Sequence, residues 1–170
     1  MELKFRKAAE ADSDSIINII SQAQAYFKNN GIDQWQNNYP NIDTVRDDIA
    51  HGIGYVLLAD NTIAGTMVLS FELEKTYEKI YEGQWLSSGP YAAIHRIAVD
   101  GGLKGKGLAS VMIGKVGELC HRKGIYSIKV DTHRKNLSMQ SLLKKNGFRY
   151  CGIIYLEDGS ERFAFERLAD

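Results

Sequence analysis

A glycine-rich loop between a strand and a helix constrains the fold of this chain more than any other feature. Residues 92–99 predict a buried strand, and residues 107–123 repeat apolar side chains at helical spacing. The glycines of the connecting segment, called here the glycine loop (residues 100–107), leave its backbone largely free of side chains. Amides in the first turn of a helix lack partners within the helix, and the helix dipole favours negative charge there. The pattern therefore predicts a site for a phosphate-bearing ligand.

Three ligand classes use such a loop, and the spacing separates them. A nucleotide P-loop requires Ser or Thr after Gly-Lys, whereas Gly107 follows Gly105-Lys106 here. A dinucleotide fingerprint places its glycines directly after the strand, whereas five residues separate Val99 from Gly105. Asp131 ends the next predicted strand, where a ribose-binding acid would lie, so this class stays a competitor. The third class is acyl-CoA.

The stretch Lys104–Ala109 resembles the pyrophosphate loop of the Gcn5-related N-acetyltransferase (GNAT) superfamily. The family pattern is Arg or Gln, two variable residues, Gly, one variable residue, then Gly or Ala. Lys104 replaces the usual first residue, which keeps the positive charge but loses the planar fork of arginine. The resemblance implies cofactor contacts from Lys104, Gly105, Lys106, Gly107, Leu108 and Ala109.

The resemblance extends over nearly the whole chain. Strands are predicted over residues 3–7, 55–59, 62–71, 92–99, 127–131, 148–155 and 162–167, and helices after Asp12 or Ser13 up to Asn29 and over 42–51, 107–123 and 136–146. This order is similar to that of the family. It implies one N-acetyltransferase domain over residues 1–170, an α/β fold whose twisted, mixed but mostly antiparallel sheet is flanked by helices.

The resemblance also implies roles outside the loop. Asn136 leads a helix that precedes Gly147-Phe148, as in the second half of the family, and would bond the pantetheine or phosphate arm of CoA. The strand amides of Ile97, Ala98 and Val99 would bind the pantetheine as an added strand binds a sheet edge.

The implied reaction moves an acetyl group from acetyl-CoA to the primary amine of a small molecule, by direct transfer in a ternary complex and without a metal. Two alternatives stay open. One is a non-catalytic acyl-CoA-binding module, which would keep the loop and need no base. The other is acetylation of a peptide or protein N-terminus, which requires an open groove.

His95 is the first catalytic candidate, because it lies on the strand that leads into the glycine loop. An imidazole titrates near pH ~6.5 and suits a general base, directly or through water; the alternative is a structural histidine bonded to a neighbouring carbonyl. Many family members carry a tyrosine that protonates the leaving CoA thiolate, and Leu143 occupies that position here. Tyr155 is the candidate for this acid.

Two segments are candidates for the acceptor pocket. Gln34 and Trp35 lie in the region that covers the acceptor in the family, although Trp35 can equally pack between the first two helices. Residues 72–90, called here the aromatic segment, contain Tyr77, Tyr81 and Trp85 and have no regular pattern. A long irregular segment is often functional; it completes the pocket, forms a homodimer surface, or is a solvated loop.

Composition bears on the other functional classes, namely nucleic-acid, membrane, secreted and metal-binding proteins. The 170 residues carry 21 basic and 21 acidic side chains, which gives no net field for a nucleic acid. Apolar runs fall far short of the roughly 18 residues of a membrane span, and the first residues lack the apolar stretch of a secretion signal. Cys120 and Cys151 have no metal-ligand spacing and are predicted to be reduced core residues. We expect a cytoplasmic protein.

Overall fold

The predicted strands and helices are all present in the computed structural model, which describes residues 1–169. The strands are β1 (Leu3–Lys7), β2 (Gly54–Ala59), β3 (Thr62–Ser70), β4 (Ala92–Val99), β5 (Ser127–Thr132), β6 (Arg149–Tyr155) and β7 (Glu161–Leu168). The helices are α1 (Ser13–Asn29), α2 (Ile42–Ala50), α3 (Leu108–Lys123) and α4 (Leu137–Lys145). Their bounds lie close to those predicted, because apolar spacing and turn residues mark both ends of most elements.

The chain divides into two compact units. Unit 1 comprises residues 1–69 and 96–112, and unit 2 comprises residues 70–95 and the chain from 113 onward. In unit 1, β2 pairs antiparallel with both β1 and β3. The predicted turn at Asp60-Asn61 is confirmed, and both residues have the positive φ that tight hairpin turns require.

Apolar residues spaced along α1 and α2 pack on β2 to form one core cluster of unit 1. Its buried members are Ile16, Ile20, Val45 and Val56. Fully burying an aliphatic side chain of this size contributes roughly 1.5–3 kcal/mol. This cluster therefore fixes both helices on their strands.

In unit 2, β7 pairs antiparallel with β5 and with β6. The start of β4 pairs parallel with β5, where Ala92 faces Ile128 and Ala93 faces Lys129. Since β4 has residues in both units, the seven strands form one mixed sheet in the order β1-β2-β3-β4-β5-β7-β6. The predicted α/β fold with a mixed, mostly antiparallel sheet is confirmed.

The aromatic segment is an ordered part of unit 2, and it covers a polar face of β5. The Tyr77 hydroxyl donates to Asp131 Oδ2 at 2.6 Å. The Lys129 ammonium lies 4.2 Å from the centroid of the Trp85 ring and 4.1 Å from that of Tyr91. Burial lowers the pKa of Lys129, partly offset by the charge of Glu166. Cation–π contacts of this kind stabilise a desolvated ammonium.

A buried carboxylate on β7 fixes the end of the aromatic segment. Glu166 is fully buried and accepts hydrogen bonds from the Leu86 amide at 2.6 Å, from the Ser127 hydroxyl at 2.6 Å and from the Ser87 hydroxyl. A buried charge is tolerated only when it is paired and hydrogen-bonded. The Leu86 amide and the Ser87 hydroxyl therefore hold the end of the segment on β7. Without them the buried Glu166 carboxylate would lose two of these three donors.

Both cysteines, Cys120 and Cys151, are free and buried, as predicted. Burial raises the pKa of the Cys120 thiol to about 11. Among the described residues, every helix is too short or too polar to cross a membrane.

The start of α1 is fixed by a buried carboxylate. Asp12 accepts two hydrogen bonds from the Arg6 guanidinium, at 2.7 and 3.1 Å, and one from the Ala9 amide at 2.7 Å. The hydrogen bond from Arg6 lowers the pKa of Asp12, and the Ala9 amide adds to this effect while burial opposes it. Asp12 therefore joins β1 to the first turn of α1.

We expect Asp12→Asn to lower the free energy of unfolding by about 1.5–3 kcal/mol at pH 7, because it removes charge-assisted hydrogen bonds. The folded-state pKa of Asp12 lies below its unfolded value, so the wild-type advantage is complete above pH ~4 and is lost as the pH falls through the folded-state pKa. Urea unfolding of both proteins across this range measures it. Asp14→Asn, on the exposed side of the same turn, is the control. Equal stability of Asp12→Asn and wild type at pH 7 would contradict this role.

Candidate active site

The glycine loop has the backbone geometry of an anion site. Gly105 and Gly107 have φ of 82° and 76°, and a Cβ placed on either would meet no heavy atom within 4 Å. A non-glycine residue pays roughly 1–2 kcal/mol in this conformation. The Val111 amide donates to the Gly107 carbonyl at 3.1 Å, so the hydrogen bonds of α3 begin directly at the loop. Glycine therefore suits the left-handed backbone at both positions, and the space that a Cβ would occupy there is open.

The strand before the loop is kinked at Arg96, whose φ is 49°. Its guanidinium donates to Asp48 Oδ2 on α2 at 2.6 Å and to the Tyr39 hydroxyl at 2.9 Å. These bonds offset the cost of a left-handed arginine. Side chains alternate only along an extended backbone, so the regular alternation of β4 is interrupted at this kink.

His95, in unit 2, is paired with a carboxylate of the aromatic segment. Its Nε2 lies 2.7 Å from Glu74 Oε1, and the two side chains are 25% and 28% exposed. A carboxylate only accepts, so Nε2 is the donor in this hydrogen bond, and in the neutral imidazole the lone pair is then on Nδ1. The Glu74 amide donates to the Tyr91 hydroxyl at 2.6 Å, which fixes the carboxylate-bearing residue. An oriented imidazole of this kind can act as a general base.

The sequence matches the model of the acetyltransferase (GNAT) family over residues 19–148. The chain belongs to the GNAT acetyltransferase family. It is therefore an acyltransferase, and the resemblance seen in its sequence is confirmed.

Solved structures agree with this assignment. A GNAT-family acetyltransferase from Streptococcus agalactiae 2603 is 33% identical, with a TM-score of 0.90 over 99% of this chain and 96% of that one. A putative acetyltransferase from Staphylococcus aureus MU50 is 24% identical, with a TM-score of 0.72 over 96% and 97%. The PaiA N-acetyltransferase from Thermoplasma acidophilum, solved in complex with coenzyme A, is 16% identical, with a TM-score of 0.70 over 99% of each chain. The last two show the fold alone. No curated protein matches the sequence.

In this GNAT acetyltransferase the predicted cofactor residues of unit 1 are contiguous. Lys104, Gly105, Lys106 and Gly107 are exposed, Leu108 is buried, and Ala109 is partly buried in the first turn of α3. Ile97, Ala98 and Val99 follow the kink at Arg96 and lead directly into the loop. Their contacts with a cofactor stay predictions.

The other predicted residues of unit 2 lie on different elements. Asn136 is buried and caps α4, with its Oδ1 accepting from the Met139 amide at 3.1 Å. Tyr155 is exposed at the end of β6, and its ring packs edge-on against Tyr81 at 5.3 Å between centroids. The strands β5 and β7 separate β6 from β4. The catalytic assignment of Tyr155 stays a prediction.

Trp35 makes packing contacts in unit 1. Its ring meets Phe27 edge-on at 5.4 Å between centroids, and the partly buried side chain packs on the Ile16 and Val45 cluster. Neighbouring Gln34 accepts from Gln36 Nε2 through its carbonyl at 3.0 Å. The packing contacts agree with the reading in which Trp35 joins the first two helices, and substrate contact by either residue stays a prediction.

Sequence reasoning missed two residues of the His95 arrangement. Glu74 lies in the irregular segment, where no periodicity indicates the direction of a side chain, and Tyr91 lies at its end. The only available signal was the placement of a carboxylate in a segment rich in aromatic residues. That signal does not distinguish Glu74 from Glu72.

We expect Trp35→Ala to lower the free energy of unfolding by about 2 kcal/mol, less than the 3–5 kcal/mol of a fully buried tryptophan. Trp35→Phe, which keeps an aromatic ring against Phe27, should recover most of this loss. Urea unfolding of the two variants gives the comparison. Wild-type stability of Trp35→Ala combined with a raised acceptor KM would assign the ring to the substrate alone.

Proposed function

We propose that this enzyme transfers an acetyl group from acetyl-CoA to the primary amine of a small molecule, by direct transfer in a ternary complex. The observation that carries the proposal is the pair of left-handed glycines, Gly105 and Gly107, which open the first turn of α3 to a phosphate. In this proposal residues 1–170 act as one N-acetyltransferase domain, the glycine loop binds acetyl-CoA, and His95 is the base.

The chemistry of the loop fits the pyrophosphate of acetyl-CoA. Amides at a helix start and two adjacent lysines, Lys104 and Lys106, are suited to a doubly charged pyrophosphate. The open space at Gly105 and Gly107 admits the phosphate groups to the backbone. The coenzyme A bound to the distant Thermoplasma acidophilum relative supports the same cosubstrate class here.

The proposed chemistry is general-base catalysis of acyl transfer. Alkyl amines have pKa values near ~10 and are mostly protonated at neutral pH. His95 Nδ1 takes the proton of the amine, directly or through water, and Glu74 stabilises the imidazolium that forms. The amine nitrogen then attacks the thioester carbonyl carbon and forms a tetrahedral intermediate. Its collapse breaks the C–S bond, the nitrogen gives its remaining extra proton to solvent to leave the neutral amide, and the CoA thiolate leaves and takes a proton. Tyr155 is the proposed donor of that proton, and solvent is the alternative source.

A small acceptor is supported by the order of the aromatic segment. Contacts from Tyr77 to Asp131, and from Trp85 to Lys129, hold this segment on β5. A fixed aromatic cover is suited to enclosing a compact amine. The test is release of CoA from acetyl-CoA with a library of small primary amines and a matched panel of peptides with free N-termini. Turnover of the peptides alone would replace the small acceptor by a peptide, and turnover of neither set would contradict the proposal.

We expect Gly107→Asp to weaken acetyl-CoA binding at least tenfold, about 1.4 kcal/mol, because a carboxylate would face the pyrophosphate. Gly107→Ala carries the same left-handed strain without the charge and should weaken binding less. Isothermal titration calorimetry of both variants measures the difference. Gly114→Asp, exposed on the same helix, is the control for charge elsewhere on α3. Wild-type affinity of Gly107→Asp would contradict the cofactor site.

His95→Ala should lower kcat by roughly 10²–10⁴, the usual contribution of a positioned base, and leave acetyl-CoA affinity unchanged. The acidic limb of its pH–rate profile should flatten, since that limb reports titration of the base. Glu74→Gln should lower kcat by a smaller factor, because the amide can still accept from Nε2 but carries no charge. His121→Ala, an exposed histidine on α3, is the control. A wild-type rate with an unchanged limb would make His95 structural.

A further inference from the structure

One residue of α1 holds the beginning of the glycine loop. Gln22 Oε1 accepts from the Gly101 amide at 2.6 Å, and its Nε2 donates to Asp100 Oδ2 at 3.2 Å. The other oxygen of Asp100 accepts from the Gly102 amide at 2.9 Å. The Gln22 carboxamide and the Asp100 carboxylate thus satisfy two successive amides of the 3-10 turn Gly101–Leu103.

A second residue of α1 meets the next part of the loop. The Lys104 ammonium lies 4.7 Å from the centroid of the Tyr26 ring, within the range of a cation–π contact. Tyr26 follows Gln22 by four residues, so the two side chains are neighbours on one face of the helix. Neither belongs to the buried apolar set of α1, which includes Ile16, Ile20 and Phe27.

These contacts hold a segment that is rich in glycine. Glycine loses more conformational entropy on ordering than any other residue, and the loop contains Gly101, Gly102, Gly105 and Gly107. A loop that is ordered only when the ligand binds pays this entropy out of the binding free energy. A loop that is already held by α1 does not.

We propose that Gln22 and Tyr26 are positioning residues of the cofactor site, which hold Gly101–Lys104 in the phosphate-binding conformation before acetyl-CoA arrives. The inference rests on the proposed function, and it makes cofactor affinity depend on a face of α1 that contacts the loop. Because Asp12 fixes the start of this helix, the anchor at β1 and the loop are joined through α1.

The first test removes the carboxamide and measures coenzyme A binding by calorimetry. Gln22→Ala should raise the Kd about tenfold, because the loop is then ordered only when coenzyme A binds and this entropy is lost from the binding free energy. With any amine that the library identifies, the acetyl-CoA KM should rise while kcat and the acceptor KM stay unchanged. Ser21→Ala, exposed on the adjacent position of α1, is the control.

A double-mutant cycle tests the contact itself, because recovery of binding in the double variant depends on the two side chains together. Gln22→Glu places a carboxylate where the amide donated to Asp100, so coenzyme A binding should weaken. Adding Asp100→Asn to Gln22→Glu restores a donor–acceptor pair between the two side chains and should recover most of the affinity. An additive cycle, with no recovery in the double variant, would overturn the assignment of Gln22.

Tyr26 is tested by a matched pair. Tyr26→Phe keeps the ring face under Lys104 and should bind coenzyme A as wild type does, whereas Tyr26→Leu should bind about two- to fivefold more weakly. Tight binding by wild type with equal binding by Gln22→Ala and Tyr26→Leu would overturn this inference and leave the proposed function intact. Failure of wild type to bind coenzyme A would overturn both.

Discussion

The chain passes from β4 into α3 through the glycine loop, and the backbone conformation of this loop is the main constraint on that part of the fold. Gly105 and Gly107 adopt left-handed φ there, which a side chain would make costly. Gln22 on α1 stabilises the preceding turn, because its side-chain oxygen accepts a hydrogen bond from the Gly101 amide. The glycines thus allow the loop its backbone conformation, and the hydrogen bond from Gly101 to Gln22 on α1 stabilises that conformation.

In unit 2 the buried charged residues of the sheet are stabilised by the aromatic segment. Lys129 and Glu166 occupy buried positions of β5 and β7, where an unpaired charge would be expensive. The aromatic segment covers them with the Trp85 ring and with the Leu86 amide. The same segment carries Glu74 to His95. The contacts that stabilise the segment thus also determine which carboxylate reaches the imidazole.

Local pattern predicted the elements well, and it predicted the site only in part. Apolar spacing placed α1 and β4, and Asp60-Asn61 marked the hairpin, because each of these signals depends on near neighbours in the chain. The glycine loop was recognisable for the same reason. Glu74 was missed, because a residue of an irregular segment acquires its direction from distant contacts, here the Tyr91 hydroxyl. The kink at Arg96 was missed because Asp48 and Tyr39 stabilise it from elsewhere in the chain.

The sequence by itself determined the order of strands and helices, the glycine loop and membership of the GNAT family, since each follows from residue types at short spacing. Only the tertiary structure decided which side chains contact the glycine loop and His95. Gln22 and Asp100 are 78 residues apart, and Glu74 and His95 are 21 residues apart. Residues so far apart in sequence meet only when helices and strands pack against one another. A hydrogen bond requires donor and acceptor to lie within about 3 Å, so the packing decides which of these pairs form.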